Sequence, residues 1–198
     1  AHGAVIDHTR SAAVAYSFYP TKNLGGIGDG GALVTADSAL AERVRQLRTH
    51  GLAGGDYEHV EISQNFRMSE LEAAWLRLAL PGLTAGNARR RHIVGRYRAA
   101  APSLAWHVDA PEHVYHLAVL RVPDRDRFRS RLAEAGVATG VHYARALTQQ
   151  PAYARFVTTP APVAEAWAAE CVSLPCFPEL TDAEVELVAA ALTREELS

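Results

Sequence analysis

The sequence predicts a mixed fold of α/β or α+β class, and three observations support this prediction. Short runs rich in β-branched and aromatic residues alternate with longer segments whose apolar residues recur every three or four positions. Capping residues open several of these helical segments, and glycines close them. The chain has 198 residues, of which 48% are hydrophobic, so it can bury the core of one or two domains. Strands and helices that alternate in this way are typical of layered folds.

The first two predicted strands flank a glycine-rich loop. Residues 14–18 alternate large and small side chains, and residues 32–35 form a second short strand-like run. The alternation in residues 14–18 predicts a strand with one well-packed face. Asp37 or Ser38 is expected to cap the helix that follows, and Gly51 to end it.

Two further helices are predicted on either side of a proline–glycine pair. Ser69 and Glu72 have the spacing of a capping box, and Pro81 with Gly82 should end or kink the helix that this box opens. The next helix is predicted over about residues 85–100. Its inward side chains are predicted to be Ile93, Val94 and Tyr97.

The order of elements places a boundary between two structural units near residue 85. We therefore expect residues 1–85 to form one unit and residues 86–198 another. Strands are predicted in the second unit at residues 114–122 and 137–143. Its other helices are predicted to be one capped by Asp124 and ended by Gly136, one over residues 163–171, and one over residues 182–193 that is opened by Thr181 and Glu184.

The composition argues against several classes of protein. The formal net charge of -2 favours neither a nucleic-acid partner nor an anionic membrane, and no segment approaches the length of a transmembrane helix. The three arginines at residues 89–91 are expected to lie on a solvated helix face. Cys171 and Cys176 are expected to be buried, reduced thiols of a cytoplasmic protein, and they are too few for a four-ligand zinc site, so no metal is expected.

The segment richest in functional information spans residues 17–31, SFYPTKNLGGIGDGG. Ser17 ends a predicted strand, and a lone lysine, Lys22, follows five residues later in the loop. Dense glycines let a ligand approach the backbone, whose exposed N–H groups bind anions. A lysine shielded from water beside such a site can lose its proton and form a Schiff base with a carbonyl. A flexible surface loop with a solvated lysine is the open alternative.

Two nucleotide-binding motifs do not describe this loop. The lysine precedes the glycines, whereas in a P-loop it follows them. The glycines also precede a strand rather than a helix, which excludes the dinucleotide-binding turn.

The same residues resemble the cofactor-lysine signature of the DegT/DnrJ/EryC1/StrS aminotransferases. Ser17, Phe18, Lys22 and residues 28–31 match in order and spacing the family pattern S-F-x-x-x-K followed by G-[DE]-G-G. A second block, residues 65–74 with the letters NFRMSELEAA, resembles the family's N-x-R-M-x-E-x-x-A-A. Shorter matches extend the resemblance over essentially the whole chain, at residues 48–51, Asn87 with residues 90–91, residues 141–143, and residues 173–175 with Pro178.

The resemblance implies an α/β fold of the type I pyridoxal-phosphate-dependent transferases, similar to aspartate aminotransferase. Residues 1–85 would form the later part of the large cofactor-binding domain, and residues 86–198 the small C-terminal domain. The resemblance also implies that residues 14–18 belong to a parallel sheet that is buried on both faces. The implied cofactor is pyridoxal 5'-phosphate, bound covalently to Lys22, with Ser17 hydrogen-bonded to its phosphate. The implied reaction moves an amino group, from glutamate as donor, to the keto group of a nucleotide-linked deoxysugar.

Further residues receive roles from the resemblance, each with an alternative that stays open. Asn65 would reach the cofactor phosphate of a neighbouring subunit in a homodimer, or else cap its own backbone. Arg67 would pair with a carboxylate or support that loop, or else form a plain surface ion pair. His142 and Tyr143 would line the substrate side of the site, or else the histidine would be satisfied within a sheet.

The chain also departs from the family pattern. Family members are longer, and their first part carries a D-x-A-Q-x-H-G-A pattern whose aspartate pairs with the pyridine nitrogen of the cofactor. Residues 1–4 resemble the tail of that pattern, and Asp7 lies beyond it and is no substitute. We therefore expect the aspartate to precede Ala1, and this chain made alone to have little activity. Residues 144–147 lack the proline and histidine that follow His142-Tyr143 in many members.

Two other functions remain as alternatives. The chain could be a truncated or non-catalytic family member that acts as a partner subunit, or a glycine-rich phosphate-binding module unrelated to pyridoxal phosphate. A dehydratase relative is disfavoured, since those proteins carry histidine where Lys22 stands.

Overall fold

The computed structural model describes residue 2 and residues 11–54 and 57–196. The chain divides into two compact units, Ala1–Ala85 and Gly86–Ser198, called here the first and the second unit. In chain order the elements are β1 (Val14–Ser17), β2 (Gly31–Val34), α1 (Ser38–Arg48), α2 (Glu70–Ala79), α3 (Leu83–Ala100), β3 (Ala105–Trp106), β4 (Ala118–Arg121), α4 (Arg125–Glu134), α5 (Pro162–Glu170), β5 (Cys171–Leu174) and α6 (Asp182–Glu196). Short 3-10 turns lie at Leu80–Gly82, Leu147–Gln149 and Pro151–Phe156.

In the first unit, β1 and β2 form an antiparallel pair. Val14 lies opposite Val34, and Ser17 lies opposite Gly31. The prediction of a parallel sheet is therefore wrong for these strands. The loop between β1 and β2 contains no crossover helix. A direct loop of this kind joins neighbouring strands that run antiparallel. Neither strand is buried on both faces, because β1 alternates half-buried with exposed residues and β2 is exposed throughout.

The predicted caps of the first unit form, with one difference. Asp37 Oδ1 accepts hydrogen bonds from the backbone N–H groups of Ala39 at 2.8 Å and Leu40 at 3.1 Å, as expected of an N-cap. Ser69 Oγ accepts one from Glu72 N at 3.1 Å, which is half of the predicted capping box. The Glu72 side chain does not complete the box but extends away from the helix end. Helix α2 ends at Ala79, just before the proline, as predicted.

The core of the second unit lies between helix α3 and an antiparallel sheet of order β3-β4-β5. Ile93, Val94 and Tyr97 are fully buried, which confirms the predicted inward face of α3. The sheet and the other helices contribute the rest of this core, mainly Leu120, Phe128, Leu132, Val172, Leu174, Val185 and Leu192. An apolar cluster of this extent is sufficient to organise one domain-sized unit.

The strands of the second unit differ most from the sequence prediction. Only Ala118–Arg121 of the predicted strand at 114–122 is a strand, because Tyr115 has a φ of 43° that interrupts the extended backbone. The predicted strand at 137–143 is wrong, and only an isolated bridge joins Gly140 to Ser173. Strand β5 was not predicted, because its four buried residues follow α5 without a turn and continue the apolar pattern of that helix.

The caps in the second unit agree with the prediction. Asp124 Oδ1 accepts a hydrogen bond from Arg127 N, and Gly136 has a φ of 81° just past the end of α4. Thr181 and Glu184 exchange two side-chain-to-backbone bonds, Thr181 N to Glu184 Oε2 at 2.8 Å and Glu184 N to Thr181 Oγ1 at 3.3 Å. This is a complete capping box.

The expected solvated face at residues 89–91 is wrong for Arg90. Its side chain is 6% exposed, and Nη1 donates to the carbonyl oxygens of Tyr115, His116 and Cys176. A buried guanidinium is tolerated when its donors are satisfied in this way. Arg89 donates to Leu180 O at 2.6 Å, so only Arg91 fits the prediction.

Two further features concern cysteines and membranes. Cys171 and Cys176 are buried free thiols, as predicted, and burial raises the pKa of Cys176 to about 11. Within the stretches of chain that the structure covers, no helix combines the length and apolarity that a bilayer crossing needs.

Candidate active site

Ser17 and Lys22 lie at the end of β1 and in the loop that follows it. The Ser17 side chain is exposed, and its Oγ accepts a hydrogen bond from Tyr19 N at 3.3 Å. That bond leaves the hydroxyl proton available for an acceptor outside the loop. Lys22 is half-buried, and it is the only lysine in the sequence.

Backbone hydrogen bonds close the loop around Lys22. Phe18 N donates to Gly30 O at 2.7 Å, and Gly26 N donates to Phe18 O at 2.7 Å. Lys22 N donates to Tyr19 O at 2.9 Å, which forms a turn at the lysine itself. The loop is therefore closed by its own backbone hydrogen bonds, and the alternative of a flexible surface loop with a solvated lysine stays open.

His2 is a buried residue at the loop that the sequence analysis did not single out. It is 7% exposed, its ring is stacked with that of Tyr16 at 6.0 Å between centroids, and it is tilted against Phe18 at 5.4 Å. Its Nδ1 accepts a hydrogen bond from Leu24 N at 3.0 Å. Burial lowers the pKa of His2, which favours the neutral ring that this bond requires. The only sequence signal for a role of His2 was its place in the tail of the D-x-A-Q-x-H-G-A family pattern. Ala1, Gly3, Ala4 and Asp7 lie outside the described residues.

Helix α2 carries the second sequence block and packs against the same loop. Trp75 Nε1 donates to Gly25 O at 3.0 Å. The Glu72 side chain lies against Gly26, Gly28 and Gly30, and Met68 Cε lies 3.4 Å from where a Cβ on Gly30 would be. The two blocks that resemble the family are thus in direct contact, although the 33 residues from 32 to 64 lie between them in sequence.

Asn65 and Arg67 lie in an exposed segment just before α2. Asn65 Oδ1 accepts hydrogen bonds from both Arg67 N and Arg67 Nε, each at 3.1 Å. Asn65 therefore caps its own backbone, and Arg67 supports that loop, which are two of the readings that the sequence left open. A contact of Asn65 with a neighbouring subunit stays a prediction.

His142 and Tyr143 lie in the second unit, at the wall of a cavity. His142 Nδ1 is 2.9 Å from Ser173 Oγ, while the Tyr143 side chain is 71% exposed. The cavity has a volume of about 830 Å³, and its walls include Leu147, Trp167 and Cys171. An apolar wall with a few polar groups is typical of small-molecule sites. The role of His142 and Tyr143 toward substrate stays a prediction.

Comparison with known proteins agrees with the sequence pattern. The model of the DegT/DnrJ/EryC1/StrS aminotransferase family matches residues 1–193. The erythromycin biosynthesis sensory transduction protein EryC1 of Saccharopolyspora erythraea is 42% identical, over 92% of this chain and 51% of that protein. The dTDP-3-amino-3,4,6-trideoxy-alpha-D-glucose transaminase of Streptomyces venezuelae is 40% identical, over 91% of this chain and 50% of that protein. The chain thus spans about half the length of the curated relatives that it matches.

A solved structure confirms the predicted fold. The crystal structure of S. venezuelae DesV, in complex with a ketimine intermediate, matches with a TM-score of 0.86 at 37% identity, over 94% of this chain and 52% of that chain. The expected α/β fold of the type I pyridoxal-phosphate-dependent transferases is therefore correct. Together with the match over residues 1–193, this shows that the chain belongs to the DegT/DnrJ/EryC1/StrS aminotransferase family.

Proposed function

We propose that this chain carries the cofactor lysine of an aminotransferase that moves an amino group from glutamate to the keto group of a nucleotide-linked deoxysugar. The observation that carries the proposal is Lys22, which lies five residues after the exposed Ser17 in a glycine-rich loop closed by backbone hydrogen bonds. The transaminase named among the relatives acts on a dTDP-linked amino sugar, which supports a substrate of this class.

The composition gives independent support for a chemical role of Lys22. The sequence has 20 lysines and arginines together, and Lys22 is the only lysine among them. Where only a positive charge is required, this chain uses arginine. Arginine cannot act as an amine nucleophile, whereas lysine can.

The residues around Lys22 fit pyridoxal 5'-phosphate. The Ser17 hydroxyl has a proton to donate to a phosphate oxygen, and the Lys22 amine can take up and return a proton at its Nζ atom. Backbone hydrogen bonds from Phe18 N to Gly30 O and from Gly26 N to Phe18 O close the loop that carries Lys22. When bound, the cofactor supplies the electron sink for the reaction. Buried free cysteines are consistent with a reducing compartment, which we propose to be the cytoplasm.

We propose that His142 and Tyr143, at the wall of the 830 Å³ cavity, contact the nucleotide sugar. Arg67 is proposed separately as a residue that pairs with a carboxylate of a substrate. Apolar and aromatic walls with few polar groups suit a sugar ring and a base. We also propose a homodimer, in which Asn65 serves the phosphate site of the neighbouring subunit.

A direct assay tests the proposed reaction. The full-length protein, supplied with pyridoxal phosphate, glutamate and a panel of nucleotide-linked ketosugars, should form 2-oxoglutarate and an amino sugar, both detected by mass spectrometry. Lys22→Ala should abolish turnover without unfolding the protein, because the side chain lies in a loop. Lys22→Arg is the matched control, since it keeps the charge but not the amine and should be equally inactive. Turnover by either variant would refute the proposal.

A non-catalytic partner role is the second candidate. One relative is named a sensory transduction protein, and it is 42% identical to this chain. That role predicts that Lys22→Ala leaves the function of the protein intact, so the same variant separates the two proposals.

A further inference from the structure

Glu72 is a buried acidic residue whose position is not explained by pairing. Its side chain is 4% exposed, and Oε1 has no hydrogen-bond partner. Carboxylates are almost never buried to this degree unless they are paired, because desolvation of the charge is costly. The helix cap uses only the backbone of Glu72, which donates to Ser69 Oγ. Neither pairing nor the helix cap therefore explains why the Glu72 side chain is buried.

The carboxylate of Glu72 occupies the inside of the glycine turn that follows Lys22. A Cβ on Gly26 would overlap Glu72 Oε1 and would lie 3.0 Å from Phe18 O. A Cβ on Gly28 would lie 3.7 Å from Oε2, and one on Gly30 would lie 3.5 Å from Oε1. Glycines at alternate positions thus leave room for this one side chain, and the closest approach is at Gly26.

The same helix holds the turn at a neighbouring point. Trp75 lies one helical turn from Glu72, and its indole N–H donates to Gly25 O at 3.0 Å. The adjacent residue, Gly26, donates its N–H to Phe18 O and so closes the loop. Two side chains of α2 therefore contact consecutive residues of the turn, three and four positions after Lys22.

We propose that Glu72 is a positioning residue for Lys22, whose carboxylate fills the glycine turn and so fixes the loop that presents the lysine amine. The inference rests on the proposed function only for the role of Lys22. The shape of the side chain matters more than its charge, because Oε1 is unpaired. An amide side chain of the same shape, as in Glu72→Gln, should therefore hold the loop in place. A short side chain, as in Glu72→Ala, should not.

Hydrogen exchange on the protein without cofactor tests the contact itself. Glu72→Ala should speed exchange in peptides covering residues 17–31 by about tenfold or more, with little change elsewhere in the first unit. Glu72→Gln should restore slow exchange. Glu70→Ala is the matched control, because Glu70 is exposed in the same helical turn, and it should behave as wild type.

A second variant tests the same contact from the side of the loop. Gly26→Ala should open the loop, because the new methyl group collides with Glu72 Oε1. Adding Glu72→Ala should then reduce the effect of the Gly26 change, whereas adding Glu70→Ala should not. This series does not require Glu72→Ala to be stable alone.

The cofactor-loaded protein provides the functional readout. Glu72→Ala should lower kcat by about tenfold or more with a small change in KM, as expected from a misplaced lysine, and Glu72→Gln should keep kcat near wild type. Wild-type exchange in Glu72→Ala, uniformly faster exchange across the whole first unit, or a Gly26→Ala effect that is independent of Glu72 would overturn the proposal. Failure of Lys22 to bind cofactor would leave the exchange result unaffected, so the two proposals fail separately.

Discussion

At the scale of single residues, burial decides what several side chains of this chain can do. His113 in the second unit is stacked on His107 at 4.7 Å between ring centroids, and its Nδ1 accepts a hydrogen bond from Tyr115 N at 3.0 Å. An imidazole can accept at Nδ1 only while that nitrogen carries no proton. Burial lowers the pKa of His113, and the neighbouring His107 lowers it further.

The lowered pKa of His113 predicts a pH dependence of stability. At pH values between the folded pKa of His113 and its ordinary value near 6.5, the folded state binds fewer protons than the unfolded state. Acidification through this range therefore stabilises the unfolded state relative to the folded state. The contribution is complete above about pH 7 and is lost as the pH falls through the folded pKa. The free energy of unfolding, measured by chemical denaturation from pH 8 to pH 5, should fall less in His113→Asn, which accepts the same bond without titrating.

A matched substitution makes this comparison specific. His92 lies exposed on α3, so His92→Asn should keep the wild-type slope of unfolding free energy against pH. An identical slope in wild type and His113→Asn would contradict the claim that titration of His113 contributes to the pH dependence of stability.

At the scale of elements, helix α2 presents two different faces. Glu72 and Leu76 are buried, while Leu71, Trp75 and Leu78 are 69%, 45% and 78% exposed. The exposed residues follow one another at helical spacing and form an apolar stripe on α2, and Phe66, which precedes the helix in sequence, is 64% exposed. Exposed apolar stripes are typical of interfaces, and α2 follows the segment of Asn65, which is expected to serve the neighbouring subunit.

The stripe on α2 predicts the effect of a charge on dimerisation. Leu78→Glu should raise the dissociation constant of the homodimer by about tenfold or more, since a buried charge would face the partner. Arg77→Glu, next to it on the exposed surface, adds more negative charge and leaves the stripe intact, so it should have a smaller effect. Sedimentation velocity over a concentration series would measure both. Equal dissociation constants for the two variants would contradict the role of this stripe.

Elements with strong local signals were predictable from sequence, and those that depend on tertiary contacts were not. The buried face of α3 and the caps at Asp37, Asp124 and Thr181 follow from local patterns, and the structure confirms them. Strand β5 was missed because four consecutive buried residues have no period of their own. The antiparallel pairing of β1 was missed because a strand pattern does not specify its partner.

At the scale of the whole molecule, the sequence located the candidate site but not its supports. The motif around Ser17 and Lys22 was readable because glycine density and spacing are local. His2 and Glu72 contact the loop only because the fold brings them there, from 20 residues before Lys22 and 50 residues after it. Arg90 shows the same limit, since its burial among three carbonyl groups contradicts the charge-run pattern.

Covalent attachment of the cofactor at Lys22 is the central claim, and borohydride reduction measures that attachment directly. Full-length protein incubated with pyridoxal phosphate and then reduced should be digested and mapped by mass spectrometry. Because Lys22 is the only lysine in this sequence, we predict one modified peptide from these 198 residues, containing residues 17–31, and none from them in Lys22→Arg. No stable adduct, or an adduct on a terminal amine in both proteins, would contradict the account.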